Sequence, residues 1–197
     1  MGLAYRGESV PAMLEFLALL SKWNKVYNLT AICDPKTMLS YHLLDSLSVL
    51  PYVQGQTVLD VGTGPGLPGI PLALQCPDKT FVLIDRNGKK TRFARQAVIE
   101  LGLANVEVVQ ERVETYRPCR LFDTLVTRAY SALSGILSTS LHLLAQRGSL
   151  LAMSGKLTEA ALVNSEFQVD RISVQVPGVD AERNILVLTR ESEIAKA

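Results

Sequence analysis

The sequence predicts an α/β fold: a seven-stranded, mostly parallel sheet wound with helices on both faces, an antiparallel strand pair at its C-terminal end and an N-terminal helical extension. Three observations predict it. Beyond Gly55, short β-branched runs alternate with helical segments, as when parallel strands are joined by crossover helices. A glycine-rich stretch, Gly62-Thr63-Gly64-Pro65-Gly66, separates the first strand from the helix that follows. The last two strand-like runs have too little chain between them for a crossover helix, so they must pair antiparallel.

The elements follow in order. From about Val10 to Tyr27, the apolar residues Leu14, Leu17, Leu20, Trp23 and Tyr27 recur every three or four positions, which marks one helix face, and Asn28 and Thr30 end it. Asp34 is placed to cap a second helix that opens on Pro35, turns Leu39, Leu43, Leu47 and Leu50 inward and stops at Pro51. Strands are expected at Thr57–Val61, Thr80–Asp85, Val106–Gln110, Phe122–Thr127 and Ser149–Met153. Helices are expected at Leu67–Gln75, Lys89–Leu101 and Ala132–Ala145, with a short one after Val113. Gln168–Val176 and Asn184–Arg190 form the antiparallel pair across the Pro177–Arg183 connection. Residues 1–54 thus read as the helical extension and 55–197 as the core, together one compact domain.

Composition bounds the function. Of the 197 residues, 48% are hydrophobic and 20% charged, which suits a globular core, and a net charge of +1 leaves any nucleic-acid contact to a local patch. Cys33, Cys76 and Cys119 are odd in number and widely spaced, which suggests neither a disulfide frame nor a zinc site and points to a reducing compartment. His42 and His142 lie in apolar helical patterns where a packed imidazole is the simpler reading, so no metal is expected. No stretch has the apolar length of a membrane span and no leader pattern opens the chain, so no membrane association and a cytoplasmic location are expected.

The chemistry is concentrated after the first strand. Asp60-Val61-Gly62-Thr63-Gly64-Pro65-Gly66-Leu67 runs from strand to helix, where glycines let the backbone turn tightly and approach a ligand. Gly64-x-Gly66-x-x-Gly69 also satisfies the dinucleotide fingerprint, with Asp85 placed 21 residues on as a ribose acid would be. Asp60 weighs against a dinucleotide. A carboxylate ending the first strand repels a pyrophosphate, but it can orient the cationic amino-acid end of S-adenosylmethionine, directly or through water. Asp85 can accept both ribose hydroxyls, or it can cap the next helix. Glu114, following Val113 after the third strand, can accept an adenine amino group; taken alone, a solvated glutamate fits equally.

Three groups of residues carry a closer likeness: Trp23-Asn24-Lys25-x-Tyr27-Asn28-Leu29-Thr30-Ala31-Ile32, His42-x-x-Asp45-Ser46-Leu47, and Asp60 through Leu72. Asp85-x-x-x-Lys89-Lys90-x-x-Phe93, Arg112-Val113-Glu114, Thr127-Arg128-Ala129 and Gly155-Lys156 continue it in order. The chain resembles the bacterial ribosomal RNA small subunit methyltransferase G family, also called glucose-inhibited division protein B. The resemblance implies a Rossmann-like class I methyltransferase that uses S-adenosyl-L-methionine to methylate N7 of a guanine in the 530-loop region of 16S rRNA, the activity named 16S rRNA (guanine(527)-N7)-methyltransferase. Its partner would be 16S rRNA or the small ribosomal subunit, met by a monomer. It also implies cofactor contacts at Gly62, Leu67, Val113, Glu114 and Arg128, beside the Asp60, Gly64, Gly66 and Asp85 of the loop reading. Arg86 departs from the serine frequent in the family after the ribose acid, adding a charge there.

Guanine N7 keeps a lone pair at neutral pH, so methyl transfer to it needs alignment and no general base, and no catalytic acid–base residue is expected. The fourth strand ends Thr127-Arg128-Ala129-Tyr130, unlike the Asn-Pro-Pro-aromatic turn used for exocyclic amines, and Pro118-Cys119 precedes that strand, out of place for a nucleophile. Lys89, Arg92 and Arg95 recur at three-residue spacing, a candidate phosphate stripe or simply a solvated face. Lys156 and Arg128 are further candidates for RNA contact. His42 and Asp45 can meet each other on one helix face and touch substrate, or tie the N-terminal helices to the core. The alternatives to an rRNA enzyme are a methyltransferase for another RNA, a protein or a small molecule, and a non-catalytic nucleotide-binding protein.

Overall fold

A computed structural model describes residues 6–128, 133–154 and 167–190 of the chain. Its seven strands are β1 (Thr57–Val61), β2 (Thr80–Ile84), β3 (Val106–Val109), β4 (Phe122–Arg128), β5 (Leu144–Ser154), β6 (Phe167–Val174) and β7 (Arg183–Arg190). They form one sheet in the order β3-β2-β1-β4-β5-β7-β6. The first five are parallel, and β7 runs antiparallel between β5 and β6, as the short connection requires. The reversal of strand order at β1 and β4 opens a crevice at their C-terminal ends, where open α/β sheets bind ligands.

Helix α1 (Val10–Tyr27) ends where Asn28 adopts φ 50°, a left-handed conformation that asparagine tolerates. Its buried face is Met13, Phe16, Leu17, Leu20 and Asn24. Leu14, expected inside, is 52% exposed. Asp34 caps α2 (Pro35–Met38) by accepting from Thr37 N at 2.8 Å, as expected. The single helix read over this region is instead interrupted: α2 passes through a π-helical segment, Leu39–Leu44, into α3 (Asp45–Leu47). The wider turn shifts the phase, so Met38 and Leu43, five apart, are buried and Leu39 turns outward.

Helices α4 (Gly69–Gln75), α5 (Gly88–Glu100) and α6 (Leu133–Ser140) complete the described set. Two expectations fail at element ends. No helix follows Val113. The Arg112 carbonyl accepts from Thr115 N, Tyr116 N and the Thr115 hydroxyl, which closes one turn, and Pro118 lies too near for another. Helix α6 stops well before Ala145, because Leu144 pairs with Phe122 to open β5. The hydroxyls of Thr139 and Ser140 bond back to the Gly135 and Ile136 carbonyls in the last turn, which weakens its continuation.

One hydrophobic cluster runs from Met13, Phe16 and Leu20 of α1 through Ile70 and Phe93 to Leu83, Val126 and Val187 of the sheet, so α1 packs directly on the sheet's helical layer. Phe16 and Trp23 meet the Phe93 ring at centroid distances of 6.1 and 5.7 Å. The second cluster covers the other face, with Leu59, Leu125, Ile136 and Leu150.

Candidate active site

Asp60 organises the loop that follows β1. Its side chain is fully buried, and Oδ2 accepts from the Thr63 hydroxyl at 2.6 Å and from Gly69 N at 2.8 Å, pinning the loop to the start of α4. A β-carbon on Gly69 would lie 2.7 Å from that oxygen, and one on Gly66, where φ is +90°, would lie 2.4 Å from Ile70 Cδ1. Only glycine fits at both positions. Asp60 Oδ1 has no hydrogen-bond partner among the described residues. Burial pushes the Asp60 carboxyl up to about 7, against the pull of its two hydrogen bonds and of Arg128.

Asp85 follows β2 directly. Oδ2 accepts from Gly64 N at 2.9 Å and Oδ1 from Asn87 N at 2.7 Å, so the carboxylate ties the glycine loop to the approach of α5. The cap of α5 is Asn87, which accepts from Lys89 N and Lys90 N, so Asp85 is not the helix cap. Each of its oxygens keeps a second acceptor site. Asp85 lines a cavity of about 320 Å³ with Gly62, Arg86, Arg112, Val113 and Glu114. The sequence-predicted residues Gly62, Asp85, Val113 and Glu114 are thereby brought together.

Asp60, Gly64, Gly66 and Leu67 do not line this cavity; the Leu67 side chain is buried in the hydrophobic cluster under the loop. Arg128, at the end of β4, faces elsewhere. Its Nη1 donates to the Tyr41 carbonyl at 3.0 Å and to Asp45 Oδ2 at 3.5 Å. Asp45 Oδ1 accepts from Arg183 Nε at 2.9 Å, and the Arg183 guanidinium stands over the Tyr41 ring, 5.5 Å from its centroid. Together with His42 these residues line a second cavity of about 330 Å³ at the ends of β4 and β5.

His42 does not pair with Asp45. Its Nε2 shares a hydrogen bond of 2.9 Å with the Thr30 hydroxyl, and burial, aided by the Arg128 charge, pulls it down to about 4, so the ring is neutral at physiological pH. Both residues tether the N-terminal helices, Asp45 through two guanidiniums and His42 through the loop after α1.

Lys89, Arg92 and Arg95 are exposed along α5, though Arg95 Nε also donates to the Val108 carbonyl at 3.3 Å. Lys156 lies outside the described residues. The sequence reading missed Lys90, whose side chain passes 3.9 Å from where a β-carbon on Gly64 would stand. It missed Tyr41 and Arg183 as well; Arg183 joins Asp45 across 138 residues, with no local spacing to reveal it.

The residues fit S-adenosylmethionine. A buried carboxylate with one unpartnered oxygen suits a cationic ligand end, and Asp85 with Glu114 supplies acceptors for a nucleoside. The sheet order and this site together define a Rossmann-like, S-adenosylmethionine-dependent methyltransferase. A "SAM dependent methyltransferase" from Aquifex aeolicus shares the fold with a TM-score of 0.59 at 22% identity, over 86% of this chain and 97% of that one.

The family described as rRNA small subunit methyltransferase G matches residues 9–186, and the chain belongs to it. Two relatives named Ribosomal RNA small subunit methyltransferase G bear this out. The one from Legionella pneumophila is 48% identical over 183 residues, covering 92% of this chain and 87% of the relative. The one from Alkalilimnicola ehrlichii is 49% identical over 192 residues, covering 96% and 87%.

Among the described residues, no helix is long and apolar enough to cross a membrane. Nor do three or more His, Cys, Asp or Glu side chains gather there as a metal site.

Proposed function

We propose that the chain transfers a methyl group from S-adenosylmethionine to N7 of a guanine in the 530-loop region of 16S rRNA, acting in the cytoplasm as a monomer on the small subunit or its rRNA. The observation that carries the reading is the fully buried Asp60, which shapes the glycine loop with one oxygen and keeps the other unpartnered. The relatives' name supports small-subunit rRNA as substrate.

When bound, S-adenosylmethionine supplies a sulfonium-activated methyl, which the N7 lone pair displaces from sulfur with no proton lost. The chain's task is therefore alignment. Gly62, Gly64 and Gly66 let the backbone approach the ligand, Asp85 accepts from the ribose, and Val113 with Glu114 holds the adenine. Asp60 balances the positive end. Arg128 reaches from β4 toward the acceptor side, while Lys89, Arg92 and Arg95, with Lys156, offer positive charge to phosphates. The helical extension contributes one wall of the acceptor side through Tyr41, His42 and Asp45.

The test is transfer of labelled methyl to small subunits from cells lacking this protein, beside subunits from wild-type cells, with the product mapped by base-specific cleavage. Label at a 530-loop guanine in the deficient subunits alone is expected. Cofactor binding without any label would move the reading to another substrate.

A further inference from the structure

The second cavity has features that packing alone does not require. Its floor is formed by Arg128 and Met153, register partners at the ends of β4 and β5. One wall comes from the π-helical segment through Tyr41 and His42, and another from the start of β7 through Arg183. Asp45, with only 7% of its side chain exposed, holds both guanidiniums, whose own side chains remain 20–21% exposed. Such a clamp spends a buried carboxylate on fixing the direction of two cations, and π-helical segments recur where side chains must be re-aimed. His42 is 4% exposed, and its Nδ1 has no partner among the described residues.

We propose that this cavity receives the target guanine base extruded from the rRNA, with Tyr41 under Arg183 as its stacking face and Asp45 as a positioning residue that fixes Arg128 and Arg183. The inference rests on the guanine-N7 reading above. Single-stranded bases are recognised by stacking on aromatic rings and guanidinium planes, which the Tyr41–Arg183 pair provides. Guanine presents two acceptors, N7 and O6, on the edge that must face the methyl donor; adenine presents a donor where guanine has O6. A fixed guanidinium donates and cannot accept, so one aimed at O6 favours guanine and opposes adenine while the N7 lone pair stays free for the methyl. The unpartnered His42 Nδ1 can make one further bond to the base. Extrusion costs unstacking free energy, which a pre-formed pocket offsets.

The experiment is steady-state methyl transfer to subunits from cells lacking the protein, with S-adenosylmethionine affinity measured separately by calorimetry. Tyr41→Ala removes the stacking face and leaves both ion pairs, so KM for the subunits rises at least tenfold with kcat less affected. Asp45→Asn removes the charge and one of the two acceptor oxygens that hold the guanidiniums and so loosens their aim, and kcat falls at least tenfold; Asp45→Glu recovers most of that loss. In all three, cofactor affinity stays within twofold. Should Asp45→Asn fail to fold, Tyr41→Ala still decides. Unchanged kcat/KM in either variant would overturn the proposal, as would a parallel loss of cofactor affinity. A wild-type protein that labels no guanine would instead sink the functional reading on which it stands.

Discussion

Under the proposed function Asp60 combines two roles that pull its proton in opposite directions. As a loop organiser it can be neutral: burial raises its carboxyl from an ordinary 3.8 to about 7, and Oδ2 can accept from Thr63 and Gly69 in either form. As counter-charge to a cationic cofactor it must be ionised. Binding therefore releases a proton below about pH 7, and affinity for S-adenosylmethionine strengthens as pH rises from 5.5 to 7.5, then levels. Stability runs the other way. The folded state holds this proton more tightly than the unfolded chain, so Asp60's contribution falls as pH rises from about 4 to 7. In Asp60→Asn the amide oxygen can still accept from Thr63 and Gly69, so the variant folds, binds cofactor at least tenfold more weakly at pH 7.5 and loses the pH dependence. Calorimetry in buffers of different ionisation enthalpy measures both effects.

Helix α5 meets the glycine loop at its start and carries the proposed phosphate stripe along its exposed face. Asn87 caps it two residues after Asp85, which fixes Lys90 over the glycine loop while Lys89 and Arg92 stay exposed. Those two side chains are free to meet phosphates, whereas Arg95 is partly held by the end of β3. In the double variant Lys89→Ala/Arg92→Ala, RNA binding weakens and the slope of log affinity against log salt falls by about 1 per contact removed, with cofactor affinity unchanged. A titration series from low to high salt reads this directly. An unchanged slope would return the stripe to a solvated face.

The whole molecule depends on α1 being held against the core, because the N-terminal helices supply Tyr41, His42 and Asp45 to the second cavity. Phe93 of α5 meets both Phe16 and Trp23 of α1 and is fully buried. Phe93→Ala leaves a cavity at this junction and is expected to cost about 3–5 kcal/mol. Urea unfolding of the variant, followed by circular dichroism, checks it; a loss below about 1 kcal/mol would mean that the junction collapses around the gap.

The strands along the chain, the antiparallel end, the glycine loop, Asp60 and Asp85 were legible because each has a local signature: a two-residue or three-to-four-residue period, a short connection, or a fixed spacing after a strand; the order of the strands across the sheet was set by their pairing. The interrupted second helix was not legible, since an apolar spacing of four suits an α-turn and only packing selects the wider π-turn that buries Met38 and turns Leu39 out. The end of α6 was decided by Leu144 pairing with Phe122, a contact between strands. Above all, the sequence by itself determined the class of fold and the glycine loop, whose parts lie close along the chain. The tertiary structure decided the second cavity, because Arg128, Asp45 and Arg183 become neighbours only when β4, the N-terminal helices and β7 close on one another, and a charge cluster made by such distant segments leaves no period or motif behind.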